Sequence, residues 1–147
     1  MTGIDAVVLA GSVNNGKLKE LSNESYEALV EIARRPMVSY VVDTLRQFRL
    51  IKRIAISGPN EEMYKLFGSV ENIIIAPAGR TPIESCLNAL EKLNPSGNVL
   101  VTTSDIPLLT RKSLADFIKQ CSQKQADVYY PVVPKEVNER LYPGVKR

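Results

Sequence analysis

Two hydrophobic patterns take turns along the chain, one a short unbroken apolar run and the other an apolar position every three or four residues. Residues 5–10, Asp-Ala-Val-Val-Leu-Ala, are apolar without alternation and stop at Gly11. A run of that kind suits a strand buried on both faces, as in a parallel sheet. Residues 53–57, 72–76, 98–103 and 127–133 are predicted strands on the same grounds; the second ends at Gly58-Pro59 and the fourth at Ser104-Asp105. Between them, Val38, Val41, Val42, Leu45 and Phe48 share one helical face and predict a helix over residues 37–49, with Pro36 at its first turn. Asn60 followed by Glu61 and Glu62 opens a second helix that runs to about Phe67. In the third, Thr81 is placed to cap, Pro82 takes the first helical position and Glu84 completes a capping box, ahead of Ile83, Cys86, Leu87, Leu90 and Leu93 on one face. A fourth starts at Thr110 and carries Leu114, Phe117, Ile118 and Cys121 on its stripe.

Strands alternating with helices predict an α/β fold, a Rossmann-like three-layer α/β/α arrangement around a mainly parallel sheet. It occupies residues 1–133, and residues 134–147 form a tail without a convincing period. In such sheets ligands bind outside the carboxyl ends of the strands. Gly11, Ser57-Gly58, Ala78-Gly79 and Asp105 all fall there.

Composition narrows the chemistry more than the fold. The chain has 147 residues, 44% of them hydrophobic and 24% charged, which is ordinary for one globular domain. The net charge of +3 is mild, and no basic block marks a nucleic-acid footprint. No apolar run approaches the roughly 20 residues of a membrane span, and no basic-then-apolar leader opens the chain. The expectation is therefore a cytoplasmic protein with neither a nucleic-acid nor a membrane partner. Both cysteines, Cys86 and Cys121, lie on apolar helix faces, where a thiol serves as a small hydrophobe. Histidine is absent, which excludes Ser-His-Asp and Cys-His triads, His-ligated zinc and imidazole general-base catalysis. Carboxylates, lysine and arginine, hydroxyls, backbone amides and a hard cation remain.

Two segments could use them. The first runs Leu9-Ala10-Gly11-Ser12-Val13-Asn14-Asn15-Gly16-Lys17-Leu18-Lys19 and continues as a long polar loop to Ser25. Glycine admits a close backbone approach, successive amides make an anion-binding nest, and Lys17 and Lys19 supply positive charge. The segment matches neither the P-loop nor Gly-x-Gly-x-x-Gly, and by itself a glycine turn with two solvated lysines accounts for it. The second is Thr102-Thr103-Ser104-Asp105-Ile106-Pro107-Leu108. A carboxylate at a strand tip can hold Mg²⁺ together with phosphate oxygens, and it can equally satisfy the amides of its own turn.

Together these segments resemble the MobA-like nucleotidyltransferases, the molybdenum-cofactor guanylyltransferase group. Leu9-Ala10-Gly11-Ser12 is similar to that family's Leu-Ala-Gly-Gly loop. The stretch from Glu27-Ala28-Leu29 through Arg35-Pro36-Met37 resembles its Lys-Ala-Leu segment and Gly-Lys-Pro-Met turn. Ala78-Gly79-Arg80-Thr81-Pro82 with Ser85 is similar to the loop facing the base, and Ser104-Asp105-Ile106-Pro107 matches its Asp-x-Pro element. The likeness runs in order from about Ala6 to Val133. It implies transfer of a nucleoside monophosphate from an NTP, GTP in the named group, to a small phosphorylated or hydroxyl acceptor, with release of pyrophosphate. Leu9, Ala10, Gly11 and Ser12 would line the nucleotide, the last three through backbone amides. Lys19 or Lys17 would neutralise phosphate charge, Gly79 and Thr81 would lie near the base, and Asp105 would bind Mg²⁺. A homo-oligomer is compatible with this. The pattern departs at Ser12, which replaces the second glycine, at the absent loop arginine, and at Glu27, where lysine is usual. A divergent module that binds a nucleotide or nucleotide sugar without catalysis is the alternative. A response-regulator-like domain fits less well, because residues 5–10 carry Asp5 alone rather than an acidic cluster. The family's second acidic residue and acceptor region are expected beyond the fifth strand, mostly downstream of residue 147.

Overall fold

The computed structural model describes residues 3–144. The chain divides into two compact units, the first ending at Arg111 and the second beginning at Lys112.

The first unit holds the sheet. Its strands are β1 (Ile4–Leu9), β4 (Ile51–Gly58), β5 (Ile73–Pro77) and β6 (Val99–Thr103), with a separate two-stranded hairpin of β2 (Glu31–Ile32) and β3 (Arg35–Pro36). The large sheet is ordered β5-β4-β1-β6 and every pairing in it is parallel. The chain thus lays strands outward on one side of β1 and then crosses to the other side to place β6. That reversal makes a topological switch point between β1 and β6, where an open α/β sheet leaves a crevice for ligands.

Helices α1 (Met37–Arg46), α2 (Asn60–Phe67) and α3 (Pro82–Leu93) supply the crossovers. Val7, Ala55 and Ala76 point to one face and pack with Ala89 and Leu93 of α3. Ala6, Val8, Ile54 and Ile56 point the other way and are buried too, while α1 packs on β4 with Val38, Val41, Val42 and Leu45 inside. Burial on both faces is why these strands are unbroken apolar runs. At the amino end of the strands the Arg53 guanidinium donates twice to the Asp5 carboxylate, at 3.2 and 2.6 Å. That bond holds the guanidinium above its ordinary pKa.

Boundaries follow local chemistry. The Thr81 hydroxyl caps α3 by accepting from Glu84 N–H at 3.1 Å. The Glu84 carboxylate reaches one residue further back than a capping box requires, accepting from Arg80 N–H at 2.7 Å. Helix α1 stops at Arg46, a turn earlier than its apolar period suggested, and Phe48 N–H bonds to Leu45 O in a tighter turn. The β2–β3 hairpin was not expected from the sequence. Its two central residues, Ala33 and Arg34, have φ of 50° and 66°, the left-handed values that a two-residue hairpin turn demands. Neither residue type advertises such a turn.

The second unit corrects two expectations. Residues 127–133 form no strand: they are irregular, with Val128, Tyr130 and Val132 exposed at 81%, 83% and 79%. Pro131 lies inside the run, removes one ladder donor and restrains Tyr130. The Tyr129 hydroxyl is committed locally, donating to Lys124 O and accepting from Ala126 N–H. The tail is not shapeless either, since Lys135–Leu141 is helix α5, following α4 (Arg111–Cys121).

Candidate functional site at the switch point

Three segments leave the carboxyl ends of the strands and meet. Leu9 is paired with Ser57 on one side and Thr103 on the other. One residue on, Ala10 N–H donates to Ser57 O at 2.7 Å, and Ser104 N–H donates to Leu9 O at 3.1 Å. These bonds bring the Gly11 turn and Asp105 to the two sides of the switch point. Ala78 N–H donates to Gly58 O at 3.2 Å, which brings in the third segment.

Close packing explains both glycines, Gly11 against the neighbouring segment and Gly79 against the first turn of α3. Neither Gly11 nor Gly79 is in the left-handed region. Space is what forbids a side chain there. A Cβ on Gly11 would lie 2.7 Å from Ala78 Cβ, and one on Gly79 would lie 2.3 Å from Glu84 Cβ and 2.8 Å from Ser85 N. Gly11 is therefore held by protein packing, whatever else its backbone does.

The backbone donors divide sharply. From Ala78 to Arg80 they are used: Ala78 N–H donates to Gly58 O, Gly79 N–H to the buried Ser85 Oγ at 2.9 Å, and Arg80 N–H to Glu84. The carbonyl oxygens of Ala78, Gly79 and Arg80 accept nothing among the described residues. In the first segment the donors are used only in part. Ala10 N–H is taken by Ser57, which removes it from the amides expected to face a ligand. The N–H groups of Gly11 and Ser12 donate to nothing among the described residues. The Gly11–Ser12 stretch thus offers donors suited to an anion, whereas the free backbone groups of Ala78, Gly79 and Arg80 are acceptors.

Asp105 is exposed, and the Thr103 hydroxyl donates to its Oδ1. Among the described residues no group of three metal-ligating side chains exists. A lone carboxylate with one oxygen hydrogen-bonded fits a Mg²⁺ ion whose remaining ligands are substrate oxygens and water. Lys17 and Lys19 lie on a single 3-10 turn, Lys17–Glu20, and both are exposed. Lys19 Nζ donates to Asn23 O at 3.3 Å, within its own loop, and neither ammonium bonds to the strand tips. Glu27 forms no ion pair among the described residues.

Sequence reasoning placed Ser57 at a strand tip without its hydrogen bond and passed over the burial of Asn14. Ser57 Oγ donates to Pro77 O at 2.9 Å and joins the tips of β4 and β5. Asn14 is buried inside the polar loop. An Asn in a Gly-rich stretch signals turn chemistry, but its burial is a tertiary fact.

The parallel sheet, with its switch point between β1 and β6, defines a Rossmann-like α/β fold. The chain belongs to the MobA-like NTP transferase domain family, whose model matches residues 6–145. A hypothetical transferase from Thermus thermophilus superposes with a TM-score of 0.75 at 30% identity, over 99% of this chain and 58% of that one. The bifunctional protein GlmU of Bacillus cereus strain AH187 is 27% identical over 136 residues, 91% of this chain. The chain spans only 28% of that relative's length. The 4-diphosphocytidyl-2C-methyl-D-erythritol synthase of Anaerococcus prevotii shares the fold at a TM-score of 0.66 and 16% identity, over 92% of this chain and 60% of that one. No helix among the described residues is long and apolar enough to cross a membrane.

Proposed function

We propose that this chain binds the nucleoside triphosphate of a nucleotidyltransferase reaction, with Gly11, Ser12 and Asp105 at the phosphates. One observation carries the reading: the two unused backbone donors stand beside a strand-tip carboxylate at the switch point of a parallel sheet. Gly11 and Ser12 N–H would hold a phosphate oxygen, with Leu9 and Ala10 forming the packed floor beneath. The free carbonyls of Ala78, Gly79 and Arg80 suit the amino or imino N–H of a base, and Thr81 holds their segment by capping α3. Lys17 and Lys19, on their exposed turn, would neutralise the outer phosphates.

In the reaction, an acceptor phosphate or hydroxyl oxygen attacks the α-phosphorus in line. The bond from that phosphorus to the bridging oxygen breaks, and pyrophosphate leaves with the electron pair. A Mg²⁺ ion held by Asp105 would supply charge neutralisation as pyrophosphate departs. The amides and lysines contribute fixed positive charge, so positioning and electrostatics account for most of the catalysis. GTP as donor, a molybdenum-cofactor acceptor, a cytoplasmic location and homo-oligomeric assembly are the finer parts of the proposal. The donor and acceptor rest on the likeness of the Gly11, Gly79 and Asp105 segments to the guanylyltransferase group, and the location rests on composition.

The alternative, a module that binds a nucleotide or nucleotide sugar without catalysis, draws on Glu27. Its carboxylate has no cationic partner among the described residues, and in the family pattern a lysine occupies that place.

Binding of the four NTPs with and without Mg²⁺, repeated on Asp105→Asn, separates these readings. The expected result is Mg²⁺-dependent NTP binding that the substitution abolishes, with the melting temperature unchanged or higher. In the active protein, turnover falls by about 10²-fold. A nucleotide site with Asp105 serving only its turn predicts intact metal-dependent binding and a loss of about 1 kcal/mol in stability. A wild-type chain that binds none of the four overturns the proposal.

A further inference from the structure

The loop between β1 and α1 has one buried polar side chain at its neck. Asn14 is 3% exposed, whereas Asn15, Gly16, Lys17, Lys19, Glu20 and Leu21 beyond it are all exposed. Its Nδ2 donates to Ser22 O at 3.3 Å and to Glu24 O at 3.0 Å, and its own N–H donates to Ser25 O at 2.9 Å. Val13 bridges Tyr26 in antiparallel fashion, and Glu27 N–H donates to Ser12 O at 3.0 Å. The neck of the loop is thus sewn shut, and the buried Asn14 amide supplies two of the bonds that close it. Lys17 and Lys19 sit in the enclosed segment.

A second feature sets Asn14 apart. Its Oδ1 is the one buried side-chain oxygen or nitrogen among the described residues without a hydrogen-bond partner. A buried acceptor left unsatisfied is destabilising. The amide is retained for its donors, because no apolar side chain could tie the two carbonyls and a carboxylate would repel them.

From this we infer that Asn14 is the positioning residue of the phosphate site: it clamps the 15–24 loop so that Lys17 and Lys19 are presented to the outer phosphates of the bound nucleotide. The inference rests on the nucleotide-binding reading above and adds to it the residue that orders the cationic loop. Asn14 acts through the lysines and touches no reacting atom.

The test compares wild type, Asn14→Ala and Asn14→Asp in the full chain, each alone and combined with Lys17→Ala/Lys19→Ala. Amide hydrogen exchange over residues 15–24 is measured without ligand. Both Asn14 variants should exchange there at least about tenfold faster, with the sheet amides unchanged. If opening leaves about one molecule in ten with the loop in place, NTP affinity falls about tenfold. Affinity for the matching nucleoside monophosphate, which lacks the outer phosphates, should move less than about twofold. In the double-lysine background Asn14→Ala should cost no further NTP affinity, because the groups it positions are gone.

Unchanged exchange over residues 15–24 overturns the clamp whether or not any ligand binds. Faster exchange with equal losses for the triphosphate and the monophosphate, or losses that add to those of the lysines, assigns Asn14 a general structural role and overturns the positioning role. A wild-type chain that binds no nucleotide defeats the function reading and the positioning role together. The exchange result then still decides the clamp.

Discussion

Two segments leave neighbouring strand tips and are built on opposite principles. Residues 78–81, between β5 and α3, have every free backbone donor from Ala78 to Arg80 bonded inside the protein and a glycine with no room for a side chain. Residues 10–30, between β1 and the hairpin, leave the Gly11 and Ser12 donors unused, run through exposed residues and are closed at a narrow neck. The first is shaped by packing and the second is free to be shaped by charge. A glycine motif therefore carries different information in each. In the first it reports steric contact within the protein. In the second, Gly11 reports a separate contact, with Ala78 of the neighbouring segment, and the chemistry resides in the amides and charges that follow it.

Substitution at Gly79 tests the packed side most severely. Gly79→Val would drive a Cβ into the first turn of α3, within 2.3 Å of Glu84 Cβ and 2.8 Å of Glu84 C. Backbone cannot swing aside as a flexible side chain can, so the expected loss is about 3 kcal/mol, read from the urea midpoint. A loss under about 0.5 kcal/mol would show that the segment is as pliable as its neighbour, and the contrast would collapse.

The next effect is smaller and can be reversed. In Gly11→Ala the new methyl meets Ala78 Cβ at 2.7 Å, a side-chain clash that costs about 1–2 kcal/mol. Pairing it with Ala78→Gly removes the obstacle. The double mutant should recover about 1 kcal/mol relative to the sum of the single changes, which is direct coupling between the two segments. Strict additivity would mean that they do not touch. The cycle also bears on how Gly11→Val is interpreted: a loss of nucleotide binding in that variant mixes blocked access with disturbed packing, and the stability measurement separates the two.

The same contrast explains what could be read from the sequence. The strands β1 and β4 were legible because burial on both faces writes itself as apolar runs, β5 and β6 because they keep short apolar runs although less buried, and the helices because burial on one face gives a three-to-four period. Residues 127–133 imitated such a run, but Pro131 within it could not serve a ladder. The β2–β3 hairpin was illegible, since two-residue strands have no period and Ala33-Arg34 lacks the glycine or asparagine usual in that turn. Gly11, Gly79 and Asp105 could be placed at the strand tips from sequence because each ends a recognisable strand or opens a helix. Ser57 could be placed at its tip on the same grounds but its bond to Pro77 O could not, and Asn14, a polar residue in a polar stretch, gives no sign that it will be buried. The division of donors among Ala10, Gly11 and Ser12 was equally hidden: it depends on where Ser57 O lies, which only the sheet register fixes.

The smallest effect on stability is predicted for the lysines, and it sharpens the comparison from the charged side. Lys17 and Lys19 are exposed, and the bond from Lys19 Nζ to Asn23 O is a solvent-facing contact at 3.3 Å. Water replaces such a bond at little cost, so Lys17→Ala/Lys19→Ala should change folding stability by less than about 0.5 kcal/mol. Its effect on binding should be large by comparison, and it should carry an electrostatic signature. If the lysines act on outer phosphates, their removal weakens NTP binding most at low ionic strength. The difference from wild type then narrows as salt rises, since the screening length shrinks to about 8 Å at physiological ionic strength. Loss of NTP affinity that is independent of salt would point to a disturbed loop rather than to missing charge. Loss of stability would mean that the turn is packed after all. Near-native stability together with salt-sensitive loss of NTP binding is the outcome that assigns this loop to charge and the Ala78–Thr81 segment to packing.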